Sequence, residues 1–274
     1  MSTINTNVMS LNAQRNLAAS SGSLATSMQR LSSGVRVNSA KDDSAGLAIA
    51  ERMNAQVKGM NVAVRNANDA ISMSQTAEGA LGKVGDSLQR MRELATQSAN
   101  ATNSTSDQAN LDAEYQELAS EVTRVLTGTK FNGTDLLSTA ATLTFQVGAN
   151  NVTTDQIDIS TGDLTAGTGI AAVTTGDITS AANALTAMDN LDTAIDEITT
   201  ARAGFGAAQN RFESVIGNLQ IASENQAASR GRIMDADFAV ETSNLSRGQI
   251  LQQAGTAMIA QANQLPQGVL SLLR

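Results

Sequence analysis

Met53, Val57, Met60, Val64, Ala67 and Ile71 advance along the chain by steps of four and three, and after Ser74 and Glu78 interrupt the row, Leu81, Val84, Leu88, Met91 and Ala95 resume it. Apolar residues at this spacing fall on one side of a helix and make a coiled-coil seam. The pattern predicts one long helix whose N-cap is Asp43 or Ser44. From Met53 to Ala95 alone it would extend roughly 65 Å at the α-helical rise.

After the polar break SANATNSTSD the same spacing returns in Leu111, Tyr115, Leu118, Val122 and Val125, which predicts an antiparallel return helix. The stretch Thr127 to Asn132 ends it, and Asn132-Gly133 is a strong turn signal. Leu143, Phe145 and Val147 then alternate with polar residues, as do Ile157 and Ile159, with Gly-Ala-Asn-Asn between them. That alternation predicts a β-hairpin. From Ser160 to Thr179 the chain is rich in Gly and Thr and poor in large apolar residues, so a surface loop or small exposed elaboration is expected.

Helical spacing resumes in Met188, Leu191, Ile195, Ile198, Phe205, Phe212, Ile216 and Leu219, which fit one seam if Arg202 and Gln209 occupy the intervening positions. Gly231 and the charged run RGRIMDAD mark a joint. Beyond it Leu251, Ala254, Met258, Ala262, Leu265, Val269 and Leu272 form a stripe, with a kink expected at Pro266. At the opposite end Ile4, Val8, Leu11, Leu24, Met28, Leu31 and Val35 form a matching thin stripe. A lone helix with so narrow an apolar face is marginal in water, because packing supplies most helical stability. The two ends therefore need each other or other copies of the chain. The expected fold is mainly α, a long-helix coiled-coil bundle formed by the N- and C-terminal segments, with a small β-hairpin insert.

Composition sharpens this picture. Aromatic residues are 2% of the chain, with no Trp, one Tyr and five Phe, so Ala, Leu, Val, Ile and Met must fill the core. Small side chains let helix axes approach closely. A net charge of −8 argues against a nucleic-acid partner, whose phosphates are held by clustered Lys and Arg. No run of about 18 apolar residues occurs, so no membrane span is expected. The N-terminus lacks the basic region, apolar stretch and cleavage site of a secretory signal.

Candidate chemistry is sparse. Without His or Cys, imidazole catalysis, thiolate metal sites and disulfides are excluded. Asp42 and Asp43 are the candidate carboxylate pair, and the competing reading is a solvated helix N-terminus interacting with its dipole. Met residues at seam positions are more simply core fillers than ligands. No cofactor is expected. In LQRMREL, Arg90, Arg92 and Glu93 read either as an exposed mixed-charge face or as a recognition site.

Four stretches carry a specific resemblance: MSTINTNVMSLNAQRNL, QRLSSGVRVNSAKDDSAGLAIAERM, LQRMRELATQSAN and NLSRGQILQQAGTAMIAQANQLPQGVLSLLR. In extent and order they resemble bacterial flagellin. The resemblance implies a self-polymerising filament subunit, extracellular in the bacterial flagellum, exported by the flagellar machinery with its secretion chaperone and without a cleaved signal. It implies a terminal coiled-coil inner domain over 1–42 plus 232–274, disordered in the monomer. A helical rod over 43–138 plus 181–231 would follow, with 139–180 as a remnant of the variable region.

Filament cap and hook-junction proteins are the further implied partners, along with host innate immune receptors. Matching positions for Toll-like receptor recognition are Leu88, Gln89, Arg90, Arg92, Glu93, Leu94, Gln97 and Glu114. Val269, Leu270, Leu272 and Leu273 match the terminal segment read by inflammasome sensors and used in assembly. Ile4, Val8, Leu11, Leu24, Met28 and Leu31 form the N-terminal assembly stripe. A hook-filament junction or cap protein, or a carboxylate-dependent helical enzyme, are the alternatives.

Overall fold

The computed structural model describes residues 6–271, with side chains through residue 264. Among the described residues there are six α-helices: α1 (Val8–Ser33), α2 (Ser44–Ser98), α3 (Thr105–Gly128), α4 (Thr168–Thr175), α5 (Ala181–Met234) and α6 (Phe238–Ser271). Between α3 and α4 lie two antiparallel strand pairs, β1 (Lys130–Phe131) with β2 (Thr134–Asp135) and β3 (Ala141–Gln146) with β4 (Gln156–Thr161). The described residues divide into two compact units, Gln56–Glu224 and the terminal segments Met1–Ala55 with Asn225–Arg274.

The central unit holds the main core. The expected α2 seam supplies Ala67, Leu81, Val84, Leu88, Met91 and Ala95 to it, while Val64 and Ile71 are half-buried. Ala63, Ala70, Ala77 and Leu94 widen that face beyond a strict seam. The antiparallel return appears as α3, opened by a reciprocal cap in which Ser104 Oγ accepts from Asp107 N at 3.2 Å and Asp107 Oδ2 accepts from Ser104 N at 3.0 Å. Tyr115 on α3 is fully buried, and its hydroxyl donates to Val173 O at 3.3 Å.

Asn132 at φ 49° and Gly133 at φ 82° join β1 to β2, the left-handed pair that a two-residue hairpin turn requires. In the second hairpin Leu143 opposes Ile159 and Phe145 opposes Ile157. Phe145 then meets Phe212 of α5 edge to face at a centroid distance of 5.7 Å, which fastens the insert to the rod.

The expectation of a loop over Ser160 to Thr179 is corrected here, because α4 lies within it and buries Ile170 and Val173, followed by Ile178. One eight-residue helix shows too few turns for a period to be read. Its cap comes from far along the chain: Glu197 of α5 accepts from Gly169 N at 3.0 Å and Ile170 N at 3.3 Å. The expected joint at Gly231 and the charged run RGRIMDAD falls at the end of that run. Helix α5 continues through Gly231 to Met234, and the break falls at residues 235–237.

In the terminal unit α1 and α6 run antiparallel, with Asn7 Nδ2 donating to Ala262 O at 2.7 Å near one end and Arg30 Nη1 to Glu241 Oε1 at 3.2 Å near the other. Small residues permit their close approach. A Cβ on Gly248 would lie 3.0 Å from Leu24 Cδ1, and one on Gly255 would lie 3.0 Å from Leu17 Cδ1. At the helix ends Gly34 takes a left-handed conformation and Val35 bridges Asp235 through the backbone. A small cluster of Val37, Ala50 and Met234 packs beside that bridge. Helix α6 remains helical through Pro266.

Candidate functional site

Two surfaces are candidates, one on the central unit and one on the terminal unit. On the first, Arg90 of α2 is forked between two carboxylates: Nε and Nη2 donate to Glu114 Oε1 of α3 at 3.0 and 2.8 Å, and Nη1 donates to Glu93 Oε2 at 3.0 Å. Hydrogen bonding to Glu114, then Glu93, raises the Arg90 guanidinium pKa above its ordinary value. Two residues on, and so on another side of the helix, Arg92 donates in bidentate fashion to Asp192 of α5, Nε to Oδ1 at 2.6 Å and Nη2 to Oδ2 at 3.1 Å. The Arg92 guanidinium is raised by that contact, and the Asp192 carboxyl is lowered by it.

These bonds tie α3 and α5 to the same turn pair of α2. Gln89, Arg92, Glu93, Thr96 and Gln97 line a shallow groove of about 490 Å³ beside them. Gln89, Arg90, Arg92, Glu93, Gln97 and Glu114 are all exposed. Leu88 and Leu94 are not: they are 0% and 1% exposed and belong to the core under this face. Their effect on the surface is through packing. Asp192 was not foreseen from the sequence. It adjoins seam residue Leu191, and only the fold brings it to Arg92.

On the terminal unit the N-terminal stripe divides. Leu24 and Leu31 turn partly inward toward α6, whereas Val8, Leu11 and Met28 are exposed. Large apolar residues of α6 behave alike, with Val240, Ile250, Leu251 and Met258 open to solvent. The buried face is instead built from Ser10, Ser27, Gly248 and Ala262, small enough for close approach. Ile4, Leu272 and Leu273 lie outside the described residues, and Val269 and Leu270 fall in α6 with side chains outside them.

Asp42 and Asp43 are committed to the backbone. Asp42 Oδ2 accepts from Ser39 N at 2.9 Å, Ser39 Oγ at 3.1 Å and Asn38 N at 3.2 Å, and these bonds, led by the Ser39 amide, hold its carboxyl below the ordinary range. Asp43 Oδ1 accepts from Gly46 N at 2.8 Å and is the N-cap of α2. Among the described residues no His, Cys, Asp and Glu side chains group as metal ligands, and no helix is long and apolar enough to cross a membrane.

Comparison with known proteins places this geometry. Residues 4–142 match the model of the bacterial flagellin N-terminal helical region and residues 188–273 that of the C-terminal helical region. A flagellin of Halalkalibacterium halodurans is 48% identical over 272 residues, spanning 99% of both chains. The crystal structure of Bacillus cereus flagellin, at 34% identity, superposes with a TM-score of 0.51 over 61% of this chain and 94% of that one. A putative flagellar hook-associated protein from Vibrio parahaemolyticus shares the fold at a TM-score of 0.59 over 71% of this chain and 100% of that one, with 13% identity. Both terminal regions and the length between them therefore agree, and the chain belongs to the bacterial flagellin family.

Proposed function

We infer that the chain is the repeating structural subunit of the extracellular flagellar filament, and that its terminal helix pair is completed by neighbouring copies. Flagellin is a structural family and not an enzyme, which removes the carboxylate-dependent reading. The observation that carries the assembly reading is the exposure of Val8 (65%), Leu11 (52%), Met28 (56%), Ile250 (66%) and Met258 (60%) on two helices already paired with each other. Burying one such side chain is worth roughly 1.5–3 kcal/mol, so a lattice that covers several per subunit is strongly favoured. Growth without closure needs two different complementary faces on each subunit. The terminal segments 1–42 and 232–274 would form the inner layer, the rod the next, and 139–180 the outward elaboration.

The test is replacement of Val8, Leu11 and Met28 together by Ser. Sedimentation and negative-stain microscopy should show no filaments, while the unfolding midpoint of the central unit stays within experimental error. Normal filaments from that variant would overturn the reading.

Further partners follow from the same surfaces. Exposed apolar stripes on α6 call for a secretion chaperone before export through the flagellar machinery, without a cleaved signal. Cap and hook-junction proteins would meet the faces left open at the two filament ends. The face holding Gln89, Arg90, Arg92, Glu93, Gln97 and Glu114, supported from below by Leu88 and Leu94, would be read by a host Toll-like receptor in the unassembled subunit. Val269, Leu270, Leu272 and Leu273 would be read by inflammasome sensors. Arg90→Ala should lower receptor signalling by roughly tenfold, the scale of one lost charged contact; an unchanged response would remove Arg90 from that role.

A further inference from the structure

Contacts between α1 and α6 repeat every seven residues. Ser10, Leu17, Leu24 and Leu31 are so spaced on one helix, and Glu241, Gly248, Gly255 and Ala262 on the other. Leu17 sits against Gly255 and Leu24 against Gly248. An antiparallel slide of one heptad, roughly 10 Å of axial shift, would seat Leu24 on Gly255 and Leu31 on Gly248. Leucine-on-glycine packing is then exchanged like for like, so it does not distinguish one register from the next.

Charge breaks the repeat. Glu241 is 6% exposed, and its Oε1 accepts from Arg30 Nη1 at 3.2 Å. Glu241 Oε2 and Arg30 Nε are buried without a hydrogen-bond partner, so each group already depends on the other for what satisfaction it has. Both line a cavity of about 420 Å³ with Ser20, Ser23, Ser27 and Asn244. A slide in one direction carries Arg30 to the level of Gly248 and leaves Glu241 beyond the end of α1. A slide in the other sets Glu241 against Leu24. Each strands a carboxylate that the observed register pairs. Glu241 is buried and Arg30 half-buried; such a pair supplies little net stability, yet separating it leaves the buried carboxylate without its partner. The Val35–Asp235 bridge beside it, with Arg36 N donating to Met234 O at 2.6 Å, Ala236 N to Gly34 O at 3.0 Å and Arg36 Nη2 to Ile233 O at 2.9 Å, would also be broken by a slide, so its share is separated from that of the ion pair by experiment.

We propose that Arg30 and Glu241 are the register-setting pair of the terminal helices, positioning residues that fix which exposed apolar side chains of α1 stand level with those of α6. This goes beyond filament assembly.

The chain contains no cysteine, so engineered disulfides report register cleanly. Leu24→Cys with Gly248→Cys reports the observed register, and Leu31→Cys with Gly248→Cys reports the slide. Each is placed in the full chain with the natural pair, with Arg30→Met/Glu241→Leu, and with the exchange Arg30→Glu/Glu241→Arg, then oxidised and scored by peptide mapping of intramolecular crosslinks. With the natural pair and with the exchange, the observed-register crosslink should exceed the slid one by roughly tenfold or more. In the apolar background the two yields should converge to within about threefold, with overall helix content retained. A single register in the apolar background would overturn the proposal, because packing and the backbone bridge would then suffice. Loss of both crosslinks there, or failure of the charge exchange to restore the preference, would overturn it as well.

Discussion

Gln209 Nε2 donates to Glu78 Oε2 at 2.9 Å, so the residue that interrupts the α2 seam meets a residue that interrupts the seam of α5. Arg202, the other interruption in α5, stands 3.9 Å from the same carboxylate. Two polar breaks that look like defects in separate stripes thus form one cross-helix contact. Glu78 is partly exposed, which limits its worth. Glu78→Ala should cost about 1 kcal/mol of unfolding free energy in urea titration, whereas Glu78→Leu/Gln209→Leu together should be neutral or stabilising.

Tyr115 offers a spectroscopic check on the core, because the chain has one Tyr and no Trp. Burial first, then the nearby Asp112 and Asp177 charges, push its phenol up to about 12. A group whose pKa is raised on folding contributes stability that is whole below the unfolded value and lost as pH rises through the folded one. For Tyr115 that window runs from about 10 to about 12, and the contribution is roughly 2–3 kcal/mol. Absorbance titration at the phenolate band should give a midpoint near 12 in buffer and near 10 in concentrated denaturant. A midpoint near 10 in buffer would mean that Tyr115 is solvated.

Carboxylates act on the other flank. Asp42 is held low by hydrogen bonds from Ser39 and Asn38, Asp107 by those from Ser104, Asp177 by Thr179 and Asn183, and Asp192 by Arg92. Their stabilisation is present above the unfolded value near 4 and is lost as pH falls through the lower folded values. Thermal midpoints should therefore be level between about pH 5 and 8 and decline below about pH 4. Asp192→Asn should flatten part of that decline.

Most of the helical framework was legible because long amphipathic segments repeat their signal many times: the α2 and α5 seams name Leu81, Leu88, Met91, Leu191 and Phe212, all buried. The Asn132-Gly133 turn and the hairpin of Leu143, Phe145, Ile157 and Ile159 were readable for the same reason, each having a local physical cause. What could not be read depends on contacts remote in sequence. Helix α4 owes its start to Glu197, and the Arg92 face is completed by Asp192. In the terminal pair large side chains such as Val8, Leu11 and Met28 face solvent while Ser10 and Ser27 lie buried. Apolar periodicity marks a face that will be covered, without saying whether the cover comes from the same chain or another.

Glycines separate local propensity from packing within the central unit. At Gly79, in the interior of α2, nothing lies within 4 Å of an added Cβ, so Gly79→Ala should stabilise the helix by roughly 0.5–1 kcal/mol. Gly169 in the first turn of α4 is buried, and an added Cβ would collide with the backbone of Ala194 in α5. Neither side can yield without moving a helix, and any shift of α4 lengthens the two bonds from its amides to Glu197. Gly169→Ala should therefore cost about 1–3 kcal/mol despite its better helix propensity. The two substitutions, identical in chemistry, should move the urea midpoint in opposite directions. If Gly169→Ala were also stabilising, α4 would not be packed against α5 as described.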